Sequence, residues 1–123
     1  MFQISQLSEI TTLITKGTTP SMVGRAFTES GVNFIKAESV TLDGHVNETV
    51  FAYIDEETHD KLKRSQLESG DILFSIAGMK LGKSAVVRDR HVPANTNQAL
   101  AIVRADRTRA IPEYLHYHFL NPD

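Results

Sequence analysis

A chain of 123 residues, 41% hydrophobic and 23% charged, has room for one globular domain and its core and not for two. It contains no cysteine, which excludes disulfides, thiolate catalysis and cysteine-based zinc sites together, and no apolar run nears the ~20 residues of a membrane span. The net charge of −2 is unevenly placed: Glu29 to Asp60 holds eight acidic residues and one basic, Lys36, whereas Ile72 to Arg109 holds seven basic and two acidic. A basic C-terminal half suits a polyanion, and an acidic half suits solvent or a protein partner; two ordinary solvated faces are the plain alternative. The opening "MFQISQLSEI" has neither the basic start nor the long apolar stretch of a signal peptide, so a cytoplasmic protein is expected.

In chain order, "ISQLSEITTLITKG" (4–17) mixes alternation with β-branched residues and reads as one or two short strands ending at Gly17. "TTPSMVGRAFTESG" (18–31) is a loop bounded by Pro20 and Gly31. "VNFIKAESV" (32–40) reads as a strand, "TLDG" as a turn and "HVNETVFAYI" (45–54) as a further extended stretch. "DEETHDKLKRSQL" (55–67) is the first clear helix, with Asp55, Glu56 and Glu57 in its first turn and Lys61, Lys63 and Arg64 in its last, matching the helix dipole. Ile54, Thr58 and Leu62 give it only a thin apolar stripe, as for a surface helix resting on a sheet. "DILFSI" (71–76) and "KSAVVR" (83–88) read as strands around "AGMKLG", "HVPANTN" (91–97) as a loop and "QALAIVRA" (98–105) as a buried strand. "IPEYLHYHFL" (111–120) closes as a helix, with Pro112 in its first turn and Ile111, Leu115 and Phe119 on one stripe. The expected class is α+β (mixed α/β, β-rich): a twisted sheet of short strands with two helices.

"AGMKLGKS" (77–84) fits a relaxed phosphate-loop pattern, which tests whether the chain binds a nucleotide. Such a loop needs a helix starting at its Lys-Ser pair, so that backbone N–H groups at the helix N-terminus face the anion. Here "SAVVRDRHVPANTN" follows, with β-branched Val86 and Val87 and turn-forming Pro93 and Asn95. Strand, Gly-rich turn, strand is the better reading, and no nucleotide cofactor is expected.

Other chemistry is thin. His116 and His118 project about 200° apart on a helix and cannot readily chelate one ion; they read as partly exposed structural histidines. His59 and Asp60 sit on a charged helix face, no serine lies in a nucleophile elbow, and no carboxylate pair has a persuasive context, so no enzyme, metal or cofactor is expected. The positive features are three loops rich in amide, hydroxyl and lysine groups: "KGTTPS" (16–21), "GMKLGK" (78–83) and "PANTNQ" (93–98). Lys and Arg suit phosphates and guanine edges, Asn and Gln suit adenine edges, and Thr offers a hydroxyl or a methyl. The alternative is that Asn, Thr and Gly simply make turns. Gly17, Gly70, Gly78 and Gly82 are assigned to turn geometry, and Asp71 and Gln98 to structural hydrogen bonds.

The order of the pieces carries a resemblance. "LSEITTLITKGTTPS", "VNFIKAESV", "LESGDILFSIAGMKLGKSAVV", "ANTNQALAIVRA" and "IPEYLHYHFL" together resemble the target recognition domain of the specificity subunit of type I restriction–modification systems, over about Ser5 to Leu120. "SGDILFSIAG…GK" followed by "NTNQALAIV" is the most specific portion. The resemblance implies a non-catalytic subunit with two such domains in tandem, each reading one half of a split DNA site, separated by long helices. It implies double-stranded DNA and the modification (methyltransferase) and restriction subunits as partners; adenine methylation with S-adenosylmethionine and ATP-driven translocation belong to those partners. Residues 1–123 then form a single, incomplete target recognition domain without a linker or second domain, resembling the N-terminal part of such a subunit. The family's recognition loops vary, so no contact residue transfers by motif. Physical chemistry nominates Lys16, Thr18, Thr19, Lys80, Lys83, Arg90, Asn95 and Asn97 as DNA-binding residues, with Lys80 or Asn97 reading a base edge and Arg90 holding a phosphate. The competing class is a protein-interaction or ligand-binding β-rich domain that meets no nucleic acid.

Overall fold

The computed structural model describes residues 9–77 and 82–120. Among these, seven strands form two sheets accompanied by two α-helices, an α+β fold. The strands are β1 (Thr11–Lys16), β2 (Val32–Ile35), β3 (Ala52–Ile54), β4 (Ile72–Ser75), β5 (Ser84–Val86), β6 (Ala94–Thr96) and β7 (Leu100–Ala105), and the helices are α1 (Glu56–Lys61) and α2 (Pro112–Leu120). The larger sheet runs β1-β7-β4-β5, antiparallel throughout. The smaller runs β3-β2-β6, with β2 antiparallel to β3 and parallel to β6. Where one twisted sheet was expected, there are two.

Side-chain alternation explains the layering. Leu73, Ala85, Val87, Leu100 and Ile102 of the larger sheet's segments meet Ile35 and Ala94 of the smaller sheet in one core between the sheets. Their neighbours Ile72, Val86 and Val103 point the other way and pack with Leu115 and Phe119 of α2. The larger sheet is thus covered on both faces, which is why "ILF", "AVV" and "AIV" are continuously apolar. On the far side, Val32, Phe34 and Ile54 pack with Leu62 just beyond α1. Fully burying one such Leu or Ile contributes about 1.5–3 kcal/mol.

Several sequence expectations are corrected by these layers. "HVPANTN" is not wholly a loop, because Ala94–Thr96 is strand β6 and fully buried. The strand expected over 32–40 stops at Ile35 and gives way to a 3-10 turn at Ala37–Ser39; the extended stretch 45–54 contains another 3-10 turn at Glu48–Val50 before β3. The charged helix is short, capped by Asp55, whose carboxylate accepts the Thr58 N–H at 2.7 Å, and passes into a 3-10 turn at Lys63–Ser65. Helix α2 buries Leu115, whereas Ile111 is exposed and His116, expected to be partly exposed, is buried. As expected, "KSAVVR" supplies a strand rather than a helix at Ser84, so no helix N-terminus stands at Lys83.

One polar anchor ties the larger sheet together. Asp71, just before β4, is buried and takes a bidentate pair from Arg104 of β7, Nε to Oδ1 at 2.7 Å and Nη2 to Oδ2 at 2.8 Å. Its Oδ2 also accepts the Glu68 N–H at 2.8 Å, which closes the 68–71 turn, and Arg104 Nη1 reaches Glu68 at 2.9 Å. The structural role expected of Asp71 is the one it has.

Candidate nucleic-acid interface

Register places three loops at one end of the larger sheet. Lys16 at the end of β1 lies opposite Ala101, Ser75 at the end of β4 lies opposite Leu100, and Phe74 lies opposite Ser84. The β4–β5 hairpin is closed by Ser75 N–H to Lys83 O at 2.8 Å and Gly82 N–H to Ser75 O at 3.0 Å. Its first strand leaves beside the 97–100 turn, with Ile76 N–H donating to Ala99 O at 2.9 Å. The 16–19 loop joins them through Gly17 N–H to Leu100 O at 3.2 Å and Thr18 N–H to Thr96 O at 3.0 Å. Gly17 is required by close approach rather than by a turn: a Cβ there would overlap the carbonyl oxygens of Thr96 and Asn97. Gly82 is the turn-forming case, at φ +82°.

The nominated residues divide sharply by environment. Lys16 is exposed and has no partner among the described residues. Thr18 and Thr19 are half-buried beside it; the Thr18 hydroxyl accepts from Arg64 Nη2 at 3.1 Å, and the Thr19 side chain caps nothing. Asn97 holds its own turn, Oδ1 accepting the Ala99 N–H at 3.1 Å, which leaves Nδ2 without a partner among the described residues. Gln98, expected to be structural, is exposed. Lys83 is half-buried and its Nζ donates to Ala37 O at 3.0 Å, bracing the hairpin on the smaller sheet. Lys80 and Gly78 lie outside the described residues.

Asn95 and Arg90 do not join this surface. Asn95 is fully buried, and its side chain is spent inside the fold. Oδ1 accepts from the Ser65 hydroxyl and the Thr96 N–H, while Nδ2 donates to Leu62 O at 3.0 Å and meets His59 Nδ1 at 3.2 Å. Burial holds His59 below the usual imidazole range, consistent with a neutral ring whose Nδ1 accepts. Arg90 follows the far end of β5, away from the hairpin, where its Nε donates to Glu48 at 3.1 Å.

The basic half is less basic than its composition. Among the described residues Arg88 pairs with Glu113 at 3.1 Å, Arg104 with Asp71 and Glu68, and Arg109 with Asp106 at 3.8 Å, while Arg107 donates to Ser69 O at 2.7 Å. The exposed cations with neither a carboxylate nor a carbonyl partner among the described residues are elsewhere. Lys61, Lys63 and Arg64 are all exposed, and the Arg64–Thr18 bond sets the 63–65 turn against the 16–19 loop. In the sequence these three read as partners of the helix dipole alone. The signal that marks them is "KLKR", three cations in four residues. Lys16, Lys63, Arg64 and Asn97 therefore share one end of the molecule, a combination suited to phosphates and base edges.

Among the described residues, no group of three potential metal ligands comes together, and no helix is long and apolar enough to cross a membrane. No family model matches the chain, and no curated protein matches it in sequence. A solved structure matches in fold: the crystal structure of the HsdS subunit from Thermoanaerobacter tengcongensis, at a TM-score of 0.61 and 20% identity, covering 94% of this chain and 27% of that one. The chain thus spans about a quarter of the length of that subunit and has the fold of one portion of it.

Proposed function

We propose that this chain is a DNA-reading domain of the type I restriction–modification specificity class, a recognition module without catalysis. It reads one half of a bipartite site and directs partner methyltransferase and restriction subunits to it. What supports this is one observation above the fold likeness: the sheet register gathers the 16–19 loop, the 97–100 turn and the β4–β5 hairpin at one end, beside the exposed Lys16, Lys63 and Arg64. Lys16, Lys63 and Arg64 hold phosphates and set the register on the duplex, while Asn97 through its Nδ2, and Lys80, read base edges. Thr18 and Thr19 stand on the same loop as Lys16. Lys83, Arg90 and Asn95 serve the fold.

The test is duplex binding followed by fluorescence anisotropy across 50–200 mM salt. One domain with so few outward cations is expected to bind random duplex in the non-specific range, about 10⁻⁴ to 10⁻⁶ M at physiological salt, with affinity falling as salt rises. Salt-independent binding, or none, would favour the protein-interaction reading. In the assembled methyltransferase, Asn97→Ala is expected to relax preference at one base position and to cost about 1–3 kcal/mol on the preferred site.

A further inference from the structure

Beside these cations lies an apolar tip that the reading above does not use. The 18–25 segment is a strap clamped at both ends. Thr18 is held by Thr96 O and Arg64, while Arg25 Nε donates to the Thr58 hydroxyl at 3.0 Å and Arg25 Nη2 pairs with Asp55 at 3.2 Å. Between the clamps Pro20–Val23 forms a 3-10 turn rooted by buried Pro20 and ended by Gly24 in the left-handed conformation at φ +72°. Gly24 N–H donates to Ser21 O at 3.1 Å and Arg25 N–H to Pro20 O at 3.0 Å, so the tip is braced by its own backbone.

This rigid tip presents apolar side chains to solvent. Met22 is 65% exposed and Val23 38% exposed. Phe27, exposed nearby, differs in having work to do: its ring packs edge-on against Phe34 at 5.0 Å and sits beneath Lys36. Met22 and Val23 have no such partner among the described residues. A flexible thioether held proud on a fixed turn stands between two clamps, one at Thr18 where the exposed Arg64 attracts a polyanion and one at Arg25 whose charge is taken by Asp55 and Glu57. The occupant that satisfies both features is a stacked base step of duplex DNA: cations on the phosphates, the apolar side chain between bases.

Resting on the DNA-reading function, we infer that Met22 is a wedge that enters a base step and bends the duplex, with Val23 packing against the adjoining sugars. Apolar side chains including Met do this elsewhere by partly unstacking a step, and pyrimidine–purine steps yield most easily. The chain would then favour sites with a flexible step at a position where no hydrogen bond is made.

The test uses the 123-residue chain and duplexes of about 25 base pairs, end-labelled with a donor and acceptor dye and enriched from a random pool by retention on it. Binding of the unaltered chain is expected to shorten the end-to-end distance. Met22→Ala is expected to keep its thermal midpoint and salt dependence but to lose the bend and about tenfold in affinity, while Met22→Leu retains both. Peroxide oxidation of Met22, read by mass spectrometry, is expected to slow when the duplex is bound. If Met22→Ala bends and binds like the unaltered chain while Lys63→Ala and Arg64→Ala weaken binding, the wedge is overturned and the DNA-reading function stands. If the unaltered chain binds no duplex, both fall. Protection of Met22 at high chain concentration without DNA would mean the tip meets a second copy, which also overturns the wedge.

Discussion

Arg104 and Arg64 show two uses of one side chain. Arg104 is clamped on the buried carboxylate of Asp71 and on Glu68, so its charge is consumed by the fold. Arg64 is exposed, is bonded among the described residues to the Thr18 hydroxyl alone, and keeps most of its N–H donors. Charge counted along the sequence cannot tell them apart. The fold makes one arginine a lock and leaves the other to offer its charge to an outside partner.

Breaking the lock should have the largest effect. Asp71→Ala leaves Arg104 facing a partly buried site without its main partner and opens the 68–71 turn, an expected loss of about 3–5 kcal/mol in urea unfolding. Arg64→Ala should shift stability by less than about 0.5 kcal/mol. Next comes the buried amide behind the surface: Asn95→Ala takes the acceptor from the Ser65 hydroxyl and the Thr96 N–H and one donor from the Leu62 carbonyl, and should cost about 2–3 kcal/mol by the same measurement. At the open end, Lys16→Ala, Lys63→Ala and Arg64→Ala should each lower the salt slope of duplex binding by about one unit, without altering base preference. Equal effects of Arg104→Ala and Arg64→Ala on stability would erase the contrast.

The smallest effect is in pH. Burial, the main cause at each ring, holds His59, His91 and His116 below their ordinary value of 6.5 in the fold, with Arg90 adding to it at His91. The unfolded chain takes up protons below about 6.5 where the folded one resists them, so stability present above that pH is lost as pH falls through the folded values. Urea midpoints should therefore drop between pH 7.5 and 5.5. The Asp55 carboxylate, held low chiefly by the hydroxyl and backbone N–H of Thr58, acts in the more acidic carboxylate range and is separable from the histidines.

Strands β4, β5 and β7 and helix α2 were legible because burial on both faces writes continuous apolar runs, and Pro112 marks a helix start. Strand β6 was not. Its residues Ala94, Asn95 and Thr96 carry turn chemistry locally, and only partners far along the chain make their burial tolerable: Ser65 for Asn95, and the Ile35 carbonyl for the Thr96 hydroxyl at 2.6 Å. The charge reading failed for the same reason. Arg90 and Glu48 are 42 residues apart, so no window along the sequence sees their pairing. "KLKR" is hidden in the sequence behind an adequate local explanation, the helix dipole.

Gly17 sets the terms on which this surface can be redesigned. Because its Cα rests against the carbonyls of Thr96 and Asn97, the first and third loops are one mechanical unit. A library that randomises 16–19 and 96–98 independently would spend most of its members on side chains that push those loops apart. Holding Gly17 and Thr96 fixed, and varying Thr18, Thr19 and Asn97 together with the hairpin tip, leaves the shared hinge of the two loops intact. Selection can then act on base preference without first having to recover the fold.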